Sequence, residues 1–222
     1  DFIAYLEQNW NTSLNARALR YTFQPTFDID NTFAYAHKNK LRSQLADLKD
    51  LVYRRKSRRQ DRQQVRKGLK HDPYDTFDWI EQIAQYYSET KVFWLLGNYS
   101  KLDKNLSHLN LAQQDKIKQI AKFAEIGIHA SSQTQNSGQQ LQIECARLSA
   151  ITGYQPNSNR QHFLLLKVPQ TYQMLLQNGI THDYTMGYAE TTGFRAGTAR
   201  SFRWFDLSKN EKTALHIHPF AY

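Results

Sequence analysis

Residues 21–30 read YTFQPTFDID, and how this stretch ends governs the reading of the whole chain. Residues 21–27 are rich in Tyr, Thr and Phe, the composition of a strand. The run then closes on two carboxylates, Asp28 and Asp30, with only Ile29 between them. A strand that delivers two acids at its carboxyl end is a common way to build a metal site or an acid/base pair in an α/β enzyme. The same ten residues also fit a surface strand that ends in an acidic turn, so the remainder of the chain has to decide.

Downstream of this stretch, strand and helix signals alternate. KLRSQLADLKDLVY (40–53) carries Leu41, Leu45, Leu48, Leu51 and Val52 at helical spacing, and the basic residues after it continue as helix. A second helix is expected from Asp75 as N-cap, with Trp79, Ile83 and Tyr86/Tyr87 as its apolar face. KVFWLLG (91–97) is a near-continuous apolar run, the pattern of a strand buried on both sides. A helix over 113–125, with Ile117, Ile120, Ala121 and Phe123/Ala124 facing inward, leads into the short strand EIGIHA (125–130). A helix over 139–152 closes on Gly153 as its C-cap. NRQHFLLL (159–166) is a strand or turn, and Pro169 opens a helix that runs through Leu176 and ends at Gly179. ITHDYTMGYA (180–189), FRWFDL and TALHIHPF are the last strands, separated by a glycine-rich loop. Strand–helix alternation of this kind argues for a parallel sheet with helical crossovers, either a barrel or a doubly wound sheet. Residues 1–20 form a polar lead-in, and 21–222 form one domain with a basic helical insertion at 40–70.

Composition narrows the classes. With 222 residues and 13% aromatics the chain can bury a core of its own. One cysteine, Cys145, excludes an intrachain disulfide and suits a reducing, cytoplasmic setting. No apolar run is long enough to cross a bilayer, and DFIAYLEQNWN lacks the basic front and apolar segment of a signal peptide. The net charge is +9, yet residues 54–70 hold nine Lys and Arg against one Asp, so this one segment carries eight of the nine net charges. It could bind nucleic acid through phosphates or an anionic membrane surface. It lacks the interleaved aromatics expected for single-stranded nucleic acid, so nucleic acid is not the expected partner; a solvated insertion suited to acidic glycans or lipid head groups is.

If the strands are parallel, their carboxyl ends converge on one rim. That rim would gather Asp28 and Asp30, His129, Arg160 and His162, Asp183 and His218. An aspartate with two histidines and an open position is a usual catalytic set for zinc or a similar divalent ion. A further carboxylate, not bound to the metal, can then take the proton of the attacking water.

Taken together, these segments resemble the polysaccharide deacetylase (NodB-homology) superfamily. TFDID is similar to its first motif, whose usual form is TFDDG. GIHASS is similar to the second motif, and ITGYQPNSNRQHF to the stretch that ends in the third. HDPYDTFDW, GFRAGT and LHIHPF resemble a bacterial branch of the superfamily. The resemblance covers roughly residues 20–220. It implies a distorted (β/α) barrel, which here can lack its last strands at the C-terminus. It also implies removal of N-acetyl groups from an amino sugar with a divalent metal, zinc foremost, in bacterial surface polysaccharide metabolism.

Carried over by position, Asp28 is the expected general base, Arg160 the residue that holds it, and Asp30 and His129 the metal ligands. The sequence departs from the pattern in two places. Ile29 separates the aspartates, and the second motif's usual second histidine is replaced by Gln133, a poor zinc ligand. His162 is therefore expected as the third ligand. His218 is the expected general acid, although related chains continue further and carry a histidine on a later strand. Arg195 and Asp183 are expected to bind substrate. Two alternatives stay open: a catalytically degenerate domain of this fold that binds a glycan or a partner, and a nucleic-acid binder acting through residues 54–70.

Overall fold

The computed structural model describes residues 2–10 and 21–221; residues 11–20 of the expected lead-in lie outside the described residues. The chain runs α1 (Phe2–Trp10), β1 (Thr26–Ile29), α2 (Lys40–Val52), α3 (Lys56–Arg66), α4 (Phe77–Tyr86), β2 (Lys91–Trp94), α5 (Leu111–Ile120), β3 (Glu125–Ala130), α6 (Gly138–Thr152), β4 (Ser158–Gln161), α7 (Gln170–Gln177), β5 (His182–Asp183), β6 (Phe202–Asp206) and β7 (Glu211–Ile217). The strands form one sheet in the order β1-β2-β3-β4-β5-β7-β6. All neighbours are parallel except β6 and β7, which form an antiparallel hairpin.

Among the described residues the sheet does not close: β1 and β6 are its edges. It is nonetheless strongly curved. Arg160 of β4 donates to Asp28 and Thr26 of β1, each at 2.8 Å, although β2 and β3 lie between them. Three strand spacings of about 4.8 Å would put these residues roughly 14 Å apart on a flat sheet, beyond the reach of a guanidinium. The result is the distorted, open (β/α) barrel expected from the sequence.

The parallel register sorts the side chains. Asp28, Phe93, Gly127, Ser158, His182 and His216 stand level with one another, and two residues on come His129, Arg160, Tyr184 and His218. This set lines the concave side. The intervening residues, including Trp94, Ile126, Ile128 and Ile217, face the helices and form the buried core. Alternation of period two is what separates a polar interior from an apolar exterior. Gly127 is required on the inner face, since a Cβ there would come within 2.6 Å of the Phe93 ring and of Ser158 Oγ.

Several local expectations shift. β1 begins at Thr26, later than expected, and runs through Asp28. The strand expected over 180–189 is only His182–Asp183. α4 buries Phe77, Ile80 and Ala84, while Trp79 and Tyr86 are exposed. The two stripes are both helical, and contact with the sheet selects between them: Phe77 stacks on Trp94 with ring centroids 5.5 Å apart. Asp75 does not cap α4; it pairs with Lys116 at 3.2 Å. α6 ends as expected on Gly153, whose φ of 86° is the left-handed conformation glycine adopts without steric cost.

Candidate metal centre

Asp30, His129 and His162 converge at the carboxyl ends of β1, β3 and β4. Their ligand atoms all lie within 4.8 Å of one another. His129 Nε2 is 3.2 Å and His162 Nε2 3.6 Å from Asp30 Oδ1. Two donors bound at 2.0–2.1 Å to one tetrahedral ion sit roughly 3.3 Å apart, so the observed spacings bracket that of a zinc-type site.

Each imidazole is fixed from behind. His129 Nδ1 lies 2.7 Å from the Arg160 carbonyl oxygen. A carbonyl only accepts, so Nδ1 carries the proton and the lone pair of the neutral ring is on Nε2. His162 Nδ1 lies 2.8 Å from Asp103 Oδ1, with the same consequence. Metal-binding histidines characteristically donate their other N–H to a carbonyl or carboxylate in this way. The donor set therefore fits a divalent ion and leaves positions open for water or substrate.

Asp103 had no signal beyond its place in the loop NYSKLDKN. It is fully buried and accepts hydrogen bonds from Ser132 N and Oγ and from Ser100 Oγ as well as from His162. Burial raises its carboxyl, but these donors outweigh it and hold the group below its usual range. For the His162 ring, burial pushes the pKa down, the hydrogen bonds to Asp30 and Asp103 push it up, and the balance is upward. Asp30 is held well below the usual carboxylate range by its hydrogen bonds to His129 and His162. Phe163 stacks on the His162 ring at 3.9 Å. Phe163 and Leu164 both take positive φ, 59° and 51°, a conformation that costs of order 1 kcal/mol or more per non-glycine residue.

Asp28 stands on the same face as Asp30, two residues back. Arg160 Nη1 donates to its Oδ1, while Nε donates to the Tyr184 carbonyl at 2.9 Å. The guanidinium lies between the rings of Phe93 and Phe220, 4.9 and 4.3 Å from their centroids. One carboxylate oxygen of Asp28 is thus held, and among the described residues the other makes no hydrogen bond or ion pair. The pair opens onto a cleft in two lobes that share Asp28, Asp30, His162 and Phe163. One lobe, about 490 Å³, runs past Tyr74 and Leu102; the other, about 280 Å³, runs past Tyr188 and Phe220.

HDPYDTFDW supplies a clamp for the loop after β1. Asp72 accepts from the backbone N–H groups of Ala34, Tyr35, Ala36 and Tyr74, at 2.8–3.0 Å.

Other expected residues lie elsewhere. Asp183 is fully buried on the helix-facing side of the sheet, where Asn159 and Thr185 use its carboxylate and burial raises its pKa to about 6. It does not reach the cleft, because the even alternation of β5 turns it outward. Arg195 is exposed and donates to the Leu164 carbonyl at 3.3 Å, touching the cleft only through that turn. His218 lies on Tyr184, ring centroids 4.3 Å apart, and bonds to His182 at 2.9 Å; it does not line either lobe. Burial, then the nearby His182 and Lys91, push its pKa down to about 4. Gln133 turns away and donates to the Asn98 carbonyl.

No family model and no curated protein matches the chain. Solved structures do. A candidate polysaccharide deacetylase from Mycobacterium smegmatis superposes with a TM-score of 0.50 at 13% identity, over 90% of this chain and 58% of that one. A candidate polysaccharide deacetylase involved in O-antigen biosynthesis from Bordetella bronchiseptica gives 0.40 at 15% identity, over 87% of this chain and 55% of that one. The chain spans a little over half the length of each. At a TM-score of 0.50 the first superposition shows a polysaccharide deacetylase-like fold.

Proposed function

We propose that this protein is a metal-dependent hydrolase that removes N-acetyl or similar acyl groups from a carbohydrate. The observation that carries the reading is the convergence of Asp30, His129 and His162 beside an Asp28 held by Arg160. In this reading Asp30 Oδ1 and the two Nε2 atoms hold a divalent ion, zinc by the chemistry of the set. When bound, such an ion supplies Lewis acidity to the amide carbonyl and makes water a better nucleophile at neutral pH.

The protein's own groups do the rest. Asp28, anchored through one oxygen, presents the other to take the proton of the attacking water. Arg160 keeps that carboxylate aimed. Asp103 and the Arg160 carbonyl keep both imidazoles in the tautomer with Nε2 free. Tyr74, Leu102, Phe163, Tyr188 and Phe220 offer apolar faces along the cleft for sugar rings. His218 is given no part in protonating the leaving amine, since it is neutral near pH 7 and sits outside the cleft. A setting in bacterial surface polysaccharide metabolism, in the cytoplasm, rests on the sequence resemblance and the single cysteine.

Among the described residues the only imidazoles lining the cleft are the two assigned to the metal, and this favours one competing reading, a glycan-binding domain of this fold without turnover. Acetate release from N-acetylated oligosaccharides separates them. Release that requires added zinc and is lost in Asp28→Asn supports the hydrolase. Glycan binding without release, equal in wild type and Asp28→Asn, overturns it in favour of the binding domain.

A further inference from the structure

α2 is folded inside out. Its inner side meets α3 through polar groups: Arg62 donates to Asp47 at 2.6 Å and to Asp50 at 2.5 Å, and Arg66 pairs with Asp47 at 3.3 Å. Ser43, Asp50 and Arg62 are buried there. The opposite side carries Leu41, Leu45, Leu48 and Val52, which fall within about 60° of arc at 3.6 residues per turn. These four are 64, 59, 59 and 69% exposed. A helix that buries its acids and shows its leucines leaves a face that wants an apolar environment.

Charge says which one. Beside the stripe, at the turn into α3, the exposed residues Arg54, Arg55, Lys56 and Arg58 crowd together. Leu51, Arg54, Lys56 and Arg59 line a depression of about 620 Å³. Asp50 also borders it, but its carboxylate is held by Arg62 and lies 3.9 Å from Arg58 Nε, which leaves Arg54, Arg55 and Lys56 as the cations facing outward. Leucines flanked by exposed cations are the make-up of helices that lie in the interface of an anionic bilayer. A nucleic acid would use the cations but not the leucines.

We propose that the α2–α3 hairpin docks this protein on an anionic membrane surface, the stripe entering the interface and Arg54, Arg55 and Lys56 binding lipid phosphates. Docking of this kind holds whether or not the cleft is catalytic.

The test is flotation of the full chain with vesicles of phosphatidylcholine alone or mixed with phosphatidylglycerol, at low and high salt. Binding is expected to the mixed vesicles, more than tenfold tighter than to neutral ones, and weakened by salt. L45E/L48E changes only exposed side chains and should abolish binding with the circular dichroism spectrum unchanged. R54Q/K56Q should weaken it by roughly 25-fold, at about fivefold per charge near the surface. Absent binding, or equal binding to both vesicle types, overturns the proposal. So does a dimer in light scattering that L45E/L48E dissociates, which would put a second copy on the stripe. Oligonucleotide binding as tight as vesicle binding and indifferent to L45E/L48E overturns it as well.

Discussion

Replacing Asp103 with Asn would measure how far the candidate centre is tuned from behind. The amide keeps the volume of the carboxylate in a fully buried position. Its Oδ1 can still accept from His162 Nδ1 and Ser132 N, the contacts observed at 2.8 and 3.0 Å. On the other side Nδ2 replaces an acceptor, and the hydroxyls of Ser100 and Ser132 can turn to receive it. Geometry is kept and charge is lost. Hydrogen bonds to charged groups are worth about 1.5–3 kcal/mol against about 0.5–1.5 for neutral ones, so the bond to His162 loses about 1 kcal/mol. Outer partners of ligating histidines commonly set metal affinity by 10–100-fold. With geometry intact, a loss near the lower end, about tenfold, is expected for zinc at about pH 8, read by competition with a chromophoric chelator. Asp103 also holds the His162 pKa up, so protons compete with the ion more strongly in the wild type. The gap between the two proteins should therefore narrow toward about pH 6. Affinities equal within twofold at the higher pH, or a gap that widens on acidification, would refute the reasoning.

Three further outcomes are expected. His162→Gln should cost roughly 10²–10³ in zinc affinity, taking a quarter of the about 10–16 kcal/mol of a four-ligand site as one ligand's share, and Gln133→His should not restore it in that background, because residue 133 points to Asn98; recovery by the second change would sink the assignment. Arg160→Lys keeps the charge but cannot hold Asp28, Thr26 and the Tyr184 carbonyl together, so urea unfolding should show a loss of about 2–4 kcal/mol, and a loss under about 1 kcal/mol would contradict it. His218 takes up its proton near pH 6.5 when unfolded but only near pH 4 when folded. The unfolded chain therefore binds more protons between these values, and stability falls as pH drops through that window. For this half-buried ring, discounted for solvent screening, the effect is about 1–2 kcal/mol. His218→Asn should flatten the fall in melting temperature between those pH values, and an unchanged slope would count against it.

Elements with a single strong period were legible in the chain itself. KVFWLLG and EIGIHA became adjacent parallel strands, and the Gln139–Thr152 helix stopped at Gly153 as written. α4 was legible as a helix but not in its phase, since Trp79/Ile83 and Phe77/Ile80/Ala84 are both valid stripes and only the position of Trp94 chooses between them. α2 shows the same limit more sharply: its leucine spacing marks a helix, yet says nothing about whether that stripe meets the core. Asp183 and His218 stood at strand ends like the others, but pleat and depth, not position in the sequence, decide which strand-end residues reach the cleft.

The sequence by itself determined the pair Asp28/Asp30, the strand-end histidines 129 and 162 and the arginine beside them, because motif residues sit at fixed offsets along their own strands. Only the tertiary structure decided that β1 and β4 curl until Arg160 reaches Asp28, that His162 turns toward Asp30 while Gln133 turns away, and that Asp103 stands behind it. Those relations depend on sheet curvature and on a loop 59 residues distant in the chain from His162. Curvature is set by the packing of every strand and helix at once, and no local pattern records it.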